Sequence, residues 1–154
     1  MTSDIEAKLA EMGVTLPDAP APAANYVPFV VVGDMVYVSG QISQDETGLM
    51  VGKLGDDYSV AQGEAAARAC AISLLAQLKA ACHGEIDRLV RVVKLGGFVN
   101  STPDFTEQPQ VINGASNFLA EALGDKGPHA RAAVSAPSLP FGVAVEIDAV
   151  FQIV

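Results

Sequence analysis

The chain is short of cations, thiols and histidines, and each shortage closes off a class of function. Nine lysines and arginines stand against eighteen aspartates and glutamates, a formal charge of −9 over 154 residues. So acidic a surface repels phosphate backbones, and no Lys/Arg cluster offsets it, so nucleic acid is not expected as a partner. The two histidines, His83 and His129, lie far apart, and no Cys or His cluster approaches a zinc spacing, so no metal is expected. Cys70 and Cys82 fall within one helical pattern. A straight helix holds them roughly 18 Å apart, too far for a disulfide, and both are read as buried thiols.

Other signals are missing as well. No apolar run approaches the length of a bilayer span, so no membrane association is expected. The N-terminal stretch MTSDIEAKLAEMGV is acidic and lacks the apolar core of a secretory leader, which points to the cytoplasm. GGFVNS lacks the lysine of a phosphate loop, GDMVYVSG lacks its spacing, and Ser39 in YVSGQ sits in no GxSxG elbow.

What is present suits one domain with a single core, since half the residues are hydrophobic. Residues 3–12 read as a short helix on Ile5, Leu9 and Met12. LPDAPAPAANYVP follows as an extended arm, stiffened by proline. Strands are expected near Phe29–Val32 and in MVYVSGQI, joined at Gly33-Asp34. The glycine- and acid-rich stretch 45–57 reads as a loop. Ser59 and Gln62 form a capping box for a helix whose buried stripe is Ala67, Ala71, Leu74, Leu78 and Cys82, with Gly84 as its stop. A strand in RLVRVVKLGGFVN precedes a second helix, capped by Thr106, carrying Pro109 in its first turn and ending at Gly124. Its stripe is Ile112, Ala115, Leu119 and Ala122. The order is β-β-α-β-α-β-β, an α+β arrangement with a mixed sheet and two helices on one face. The second face, half polar along Ala144, Glu146, Asp148, Val150 and Gln152, suggests a subunit interface with pockets.

The last segment, HARAAVSAPSLPFGVAVEIDAVFQIV, poses the chemical question. An otherwise small and apolar stretch carries Arg131 and Glu146. If PSLP is a hairpin turn, paired residue numbers sum to 277. Ala132, Val134 and Ala136 then share an apolar face with Val145, Val143 and Phe141, and Arg131 stands opposite Glu146, about 5 Å away between Cβ atoms. Spacing alone leaves open a solvated ion pair or part of a site. His129 precedes Arg131 by two and reads as polar surface.

These residues carry a resemblance. VYVSGQI, the helix–strand–helix middle and HARAAVSAPSLPFGVAVEIDAV together resemble the Rid family, the reactive intermediate deaminases also called the YjgF family. The resemblance covers residues 26–154, a single Rid-like domain, with residues 1–25 as an added N-terminal helix and Ala/Pro-rich arm. It implies a chorismate-mutase-like fold assembled as a homotrimer, with ligand pockets in clefts between subunits. It implies that Arg131 grips a substrate carboxylate, that Glu146 holds or activates water, and that Tyr26, Ser39, Gly40 and Asn113 line the site. The implied reaction hydrolyses 2-imino acids or their enamine tautomers, such as 2-aminoacrylate, to 2-keto acids and ammonia, with no cofactor. A permanent cation beside Glu146 would keep it ionised, as a water-orienting base.

The pattern departs from the family in two places: Ala133 stands where many members carry cysteine, and the loop before Asn113 is longer. Two other readings attach to the same cleft: a non-catalytic sensor of keto or imino acids, and an endoribonuclease, which the net charge disfavours. The N-terminal helix and arm are expected to pack over a neighbouring subunit.

Overall fold

A computed structural model describes residues 3–22 and 24–154. Met1, Thr2 and Ala23, the last within the expected arm, lie outside the described residues. The elements run α1 (Asp4–Glu11), β1 (Phe29–Val32), β2 (Met35–Ile42), β3 (Gln44–Asp45), β4 (Gly48–Leu49), α2 (Val60–Ala81), β5 (Leu89–Asn100), α3 (Gln108–Leu123), β6 (Ala130–Ala136) and β7 (Val145–Ile153). Five strands form one sheet in the order β1-β2-β7-β5-β6, with β5–β6 parallel and the other pairings antiparallel. The stretch expected as a loop holds the small ribbon β3–β4.

Both long helices pack on one face of this sheet, giving the α+β architecture of the chorismate-mutase-like fold. α2 begins at the Ser59–Gln62 capping box, in which each side chain bonds the other's backbone N–H. Its Ala67, Ala71, Leu74 and Leu78 are buried, as is Cys82 just beyond its end, and they pack with Leu95, Ile147 and Phe151 of the sheet. The cap of α3 differs from expectation. Glu107, not Thr106, takes the cap position and makes no capping bond. The Gln108 side-chain amide instead donates to the Phe105 carbonyl at 2.8 Å. Pro109 in the first turn has no N–H to be capped, which lightens the demand on the cap residue.

α1 rests on the core of its own chain. Ile5, Leu9 and Val14 join the main hydrophobic cluster. The Asp87 carboxylate accepts from Ser3 Oγ at 2.6 Å and from the Asp4 and Ile5 N–H groups at 2.8 and 3.1 Å, while Lys79 pairs with Glu6. Burial pushes the Asp87 carboxyl up, but the bonds from Ser3, Ile5 and Asp4 and the nearby Lys126 charge outweigh it and hold the group below its ordinary value.

The terminal hairpin does not form, and this is the main correction to the sequence reading. β5 lies between β6 and β7: Leu95 pairs with Arg131 on one side and with Ala149 on the other. The cause is the β5–α3–β6 segment, a strand–helix–strand crossover that places β6 parallel to β5 at the sheet edge. The chain then turns through Pro140–Gly142, with Phe141 in a left-handed conformation at φ 59°, and enters the centre of the sheet as β7. The faces of β6 are thereby exchanged. Val134 and Phe141, expected in the core, are exposed, whereas Val143 and Val145 are buried as expected.

Candidate functional site

Arg131 and Glu146 stand apart in one chain. Glu146 pairs with Phe98, three residues along β5 from the partner of Arg131. Two strand separations and that offset place their backbones roughly 14 Å apart. They also lie on opposite faces. Arg131 shares the helix-covered face of Leu95, and Glu146 shares the open face with Asp148. The named residues divide accordingly into two groups.

The first group surrounds Glu146. In β2 the register against β7 shifts between Val38 and Gln41, a bulge that sets Ser39 and Gly40 beside the single residue Asp148. A Cβ at Gly40 would lie 3.0 Å from Glu146 Cδ, so glycine there leaves room for the carboxylate. Ser39 donates from Oγ to the Val27 carbonyl at 2.8 Å and from its N–H to the Pro28 carbonyl at 2.9 Å. It thus pins the backbone just after Tyr26. Tyr26, Gly40 and Glu146 line a cavity of about 140 Å³ with Pro28, Pro140 and the arm residues Pro20–Pro22.

No cation neighbours this carboxylate among the described residues. Burial, and after it the negative charge of Asp148, pushes the Glu146 carboxyl above its ordinary value. This reverses the expectation of a group held ionised by an adjacent arginine. Asp148 is itself raised by burial, opposed by the Gly96 N–H and the Lys94 charge.

The second group surrounds Arg131. Its Nη1 donates to Ser116 Oγ at 3.0 Å and its Nη2 to the Pro109 carbonyl at 3.1 Å. Pro109, Asn113 and Ser116 recur at helical spacing, so Asn113 lies on the α3 face along which the guanidinium is laid. His129 completes the arrangement. The Gly127 carbonyl, 2.7 Å from Nδ1, can only accept, so a neutral ring carries its proton there. Nε2 then accepts from the Ser116 hydroxyl at 2.9 Å, and Ser116 accepts from Arg131. With two N–H groups so held, the rest of the guanidinium fork is open to a carboxylate. Ala133 follows on the same strand parity and is half-buried.

Sequence reasoning missed Ser116, Gln77 and the Pro20–Pro22 wall. Ser116 and Gln77 sit within helical stripes as ordinary polar residues. Their signal exists only once a partner from another element is known. Cys70 is fully buried, and burial, then the Glu146 charge, pushes its thiol far up, which makes it inert. None of the described helices is long and apolar enough to cross a membrane.

Comparison with known proteins adds to this geometry. A family model described as "YjgF/chorismate_mutase-like, putative endoribonuclease" matches residues 6–151, a span that includes most of α1. Protein TCP17 of Trypanosoma cruzi is 48% identical over 97% of this chain and 94% of its own length. A solved protein of unknown function from Agrobacterium tumefaciens is 50% identical, with a TM-score of 0.91 over 98% of this chain and 93% of that one. RidA from an Antarctic Psychrobacter is 30% identical, with a TM-score of 0.59 over 88% of this chain and 94% of its own.

Proposed function

The chain belongs to the YjgF/chorismate-mutase-like family, and on that premise we propose that it hydrolyses 2-imino acids to 2-keto acids and ammonia in a cleft between two copies, most simply within a homotrimer. The observation that carries this reading is the division of the site. One group offers a carboxylate-binding fork without a base, and the other a raised carboxyl without a cation. They lie on opposite faces of one sheet, so a single chain cannot close them on one small substrate. A neighbouring copy can.

In the proposed cleft, Arg131 of one copy grips the substrate carboxylate in two parallel charge-assisted hydrogen bonds, with Asn113 beside it. Glu146 of the other copy holds a water against C2 of the imine. The water oxygen bonds to C2 as the C=N π pair moves to nitrogen, which takes up a proton from solvent, while Glu146 accepts a proton from the attacking water. The resulting carbinolamine then breaks its C–N bond. Glu146 returns its proton to the nitrogen, the C2–OH proton is released, and ammonia leaves the 2-keto acid. Enamines such as 2-aminoacrylate enter after tautomerisation to the imine. A carboxyl raised toward neutrality serves both proton transfers better than an ordinary one. Fixing imine and water together removes much of the remaining entropic barrier. No cofactor enters the scheme.

The test is keto-acid formation from 2-aminoacrylate released in situ by a serine dehydratase, with semicarbazide trapping the unhydrolysed imine. Wild type should accelerate hydrolysis, and Arg131→Ala and Glu146→Gln should each lose about 100-fold or more. Tight binding of 2-ketobutyrate without turnover would favour a sensor instead. The family description also names endoribonuclease activity. RNA cleavage that Arg131→Ala abolishes would support that reading over this one.

A further inference from the structure

We propose that residues 20–22 form a fixed wall of the Glu146 cavity, and that this wall restricts the site to 2-imino acids with short apolar side chains. The inference rests on the reading above and names its substrate class.

Pro20, Ala21 and Pro22 line the same cavity as Glu146, opposite a sheet residue, Gly40, that contributes no side chain. The segment is held on three sides. Before it, α1 is buried on the core and tied to Asp87 and Lys79. After it, Ser39 clamps the Val27 and Pro28 carbonyls. In its middle, Gln77 of α2, wholly buried, donates from Nε2 to the Pro20 carbonyl at 2.7 Å. The same amide group lies 3.4 Å from Gln41 Oε1, and Gln41 donates to the Ser39 carbonyl at 2.9 Å. This amide ladder joins the wall to the bulge that carries Gly40. A buried amide in a helix interior is costly unless bonded; the nitrogen of this one is bonded to the wall, while its Oε1 is buried without a partner. Pro17, Pro20 and Pro22 fix φ in and just before the segment, so few conformations compete with the docked one.

The size of the space sets the substrate. A cavity of about 140 Å³ is close to the roughly 150 Å³ that accommodates one benzene ring, about six heavy atoms. With the substrate carboxylate drawn out toward Arg131 of the second copy, the cavity accommodates C2, the imine nitrogen, the attacking water and one or two side-chain carbons. Glu146 is the one charged residue among the described lining residues, and the wall is proline and alanine. An anionic side chain meets no cation among these lining residues, and an aromatic one exceeds the space left beside C2.

The test compares imines released in situ by an amino-acid oxidase from alanine, leucine and phenylalanine, and in parallel the binding of the matching keto acids by calorimetry. Wild type should prefer the alanine-derived imine by about tenfold or more. Ala21→Leu should sharpen that preference, and Gln77→Leu, which removes the tie to Pro20, should relax it, each by about fivefold or more at retained melting temperature. Unchanged size ranking in Ala21→Leu would overturn the wall by itself, because that exposed position leaves the core intact. Absence of turnover together with keto-acid binding that still ranks by size, and shifts in Ala21→Leu, would overturn the deaminase reading and leave the wall standing. Keto-acid binding that is absent or blind to size would overturn the wall.

Discussion

Glu146 and Asp148 sit two apart on the open face of β7; Lys94 acts on Asp148, whereas no cation among the described residues neighbours Glu146. Burial raises both, and Asp148 adds to the rise at Glu146. If Glu146 must be ionised to take the water proton, the acidic limb of the kcat/KM profile reports its titration. Removing the neighbouring negative charge lowers that pKa, so Asp148→Asn should move the limb to lower pH. A profile measured on 2-aminoacrylate checks the direction, and a limb that stays in place would detach Asp148 from the chemistry. The individual residues were legible in the sequence to different degrees. Tyr26, Gly40 and Glu146 meet at one cavity, whereas Ser39 acts on backbone carbonyls beside it. Ser116 and His129 show no periodic or motif signal. They matter through the hydroxyl that links the imidazole to Arg131.

At the scale of elements, periodicity located both long helices and four of the five main strands within a residue or two, because each buries one regular face. It failed where pairing was at stake. A turn with proline and serine between two apolar strands looks like a hairpin, and local pattern carries no information about a third strand lying between them. The strand–helix–strand order just upstream was the available warning, since parallel neighbours require a crossover of that kind. α1 offers a test at this scale. Asp87 closes its first turn from another element, and losing such a cap costs about 1–2 kcal/mol. Asp87→Ala should therefore lower stability by about that much in urea titration and speed amide exchange in α1. Because the Asp87 carboxyl is held below its ordinary 3.8, its contribution is present above that pH and is lost as pH falls through the lower folded value. Wild type should release α1 on acidification there, and Asp87→Ala should not show that step.

For the whole molecule, the two half-sites predict how damaged copies repair one another. In the proposed assembly, Arg131→Ala and Glu146→Gln oligomers each lack one half at every cleft. Mixed at equal amounts under conditions that exchange subunits, they should regain roughly a quarter of wild-type turnover, the fraction of clefts drawing Glu146 from one variant and Arg131 from the other. A site built within a single chain regains none. Imine turnover with the two variants mixed over a range of ratios checks this, and the maximum should fall at equal proportions.

β7 follows the other four strands of the sheet in chain order and occupies its middle, bonded to β2 on one side and β5 on the other. Seen as a process in time, this makes the earlier strands wait. While a ribosome is still delivering residues short of Val145, β1–β2 and β5–β6 have no backbone partner to join them, and both inner edges stand open. Arrest at such lengths should leave the nascent chain an easy substrate for proteases and a client for chaperones. Emergence of β7 should close the sheet in one cooperative step.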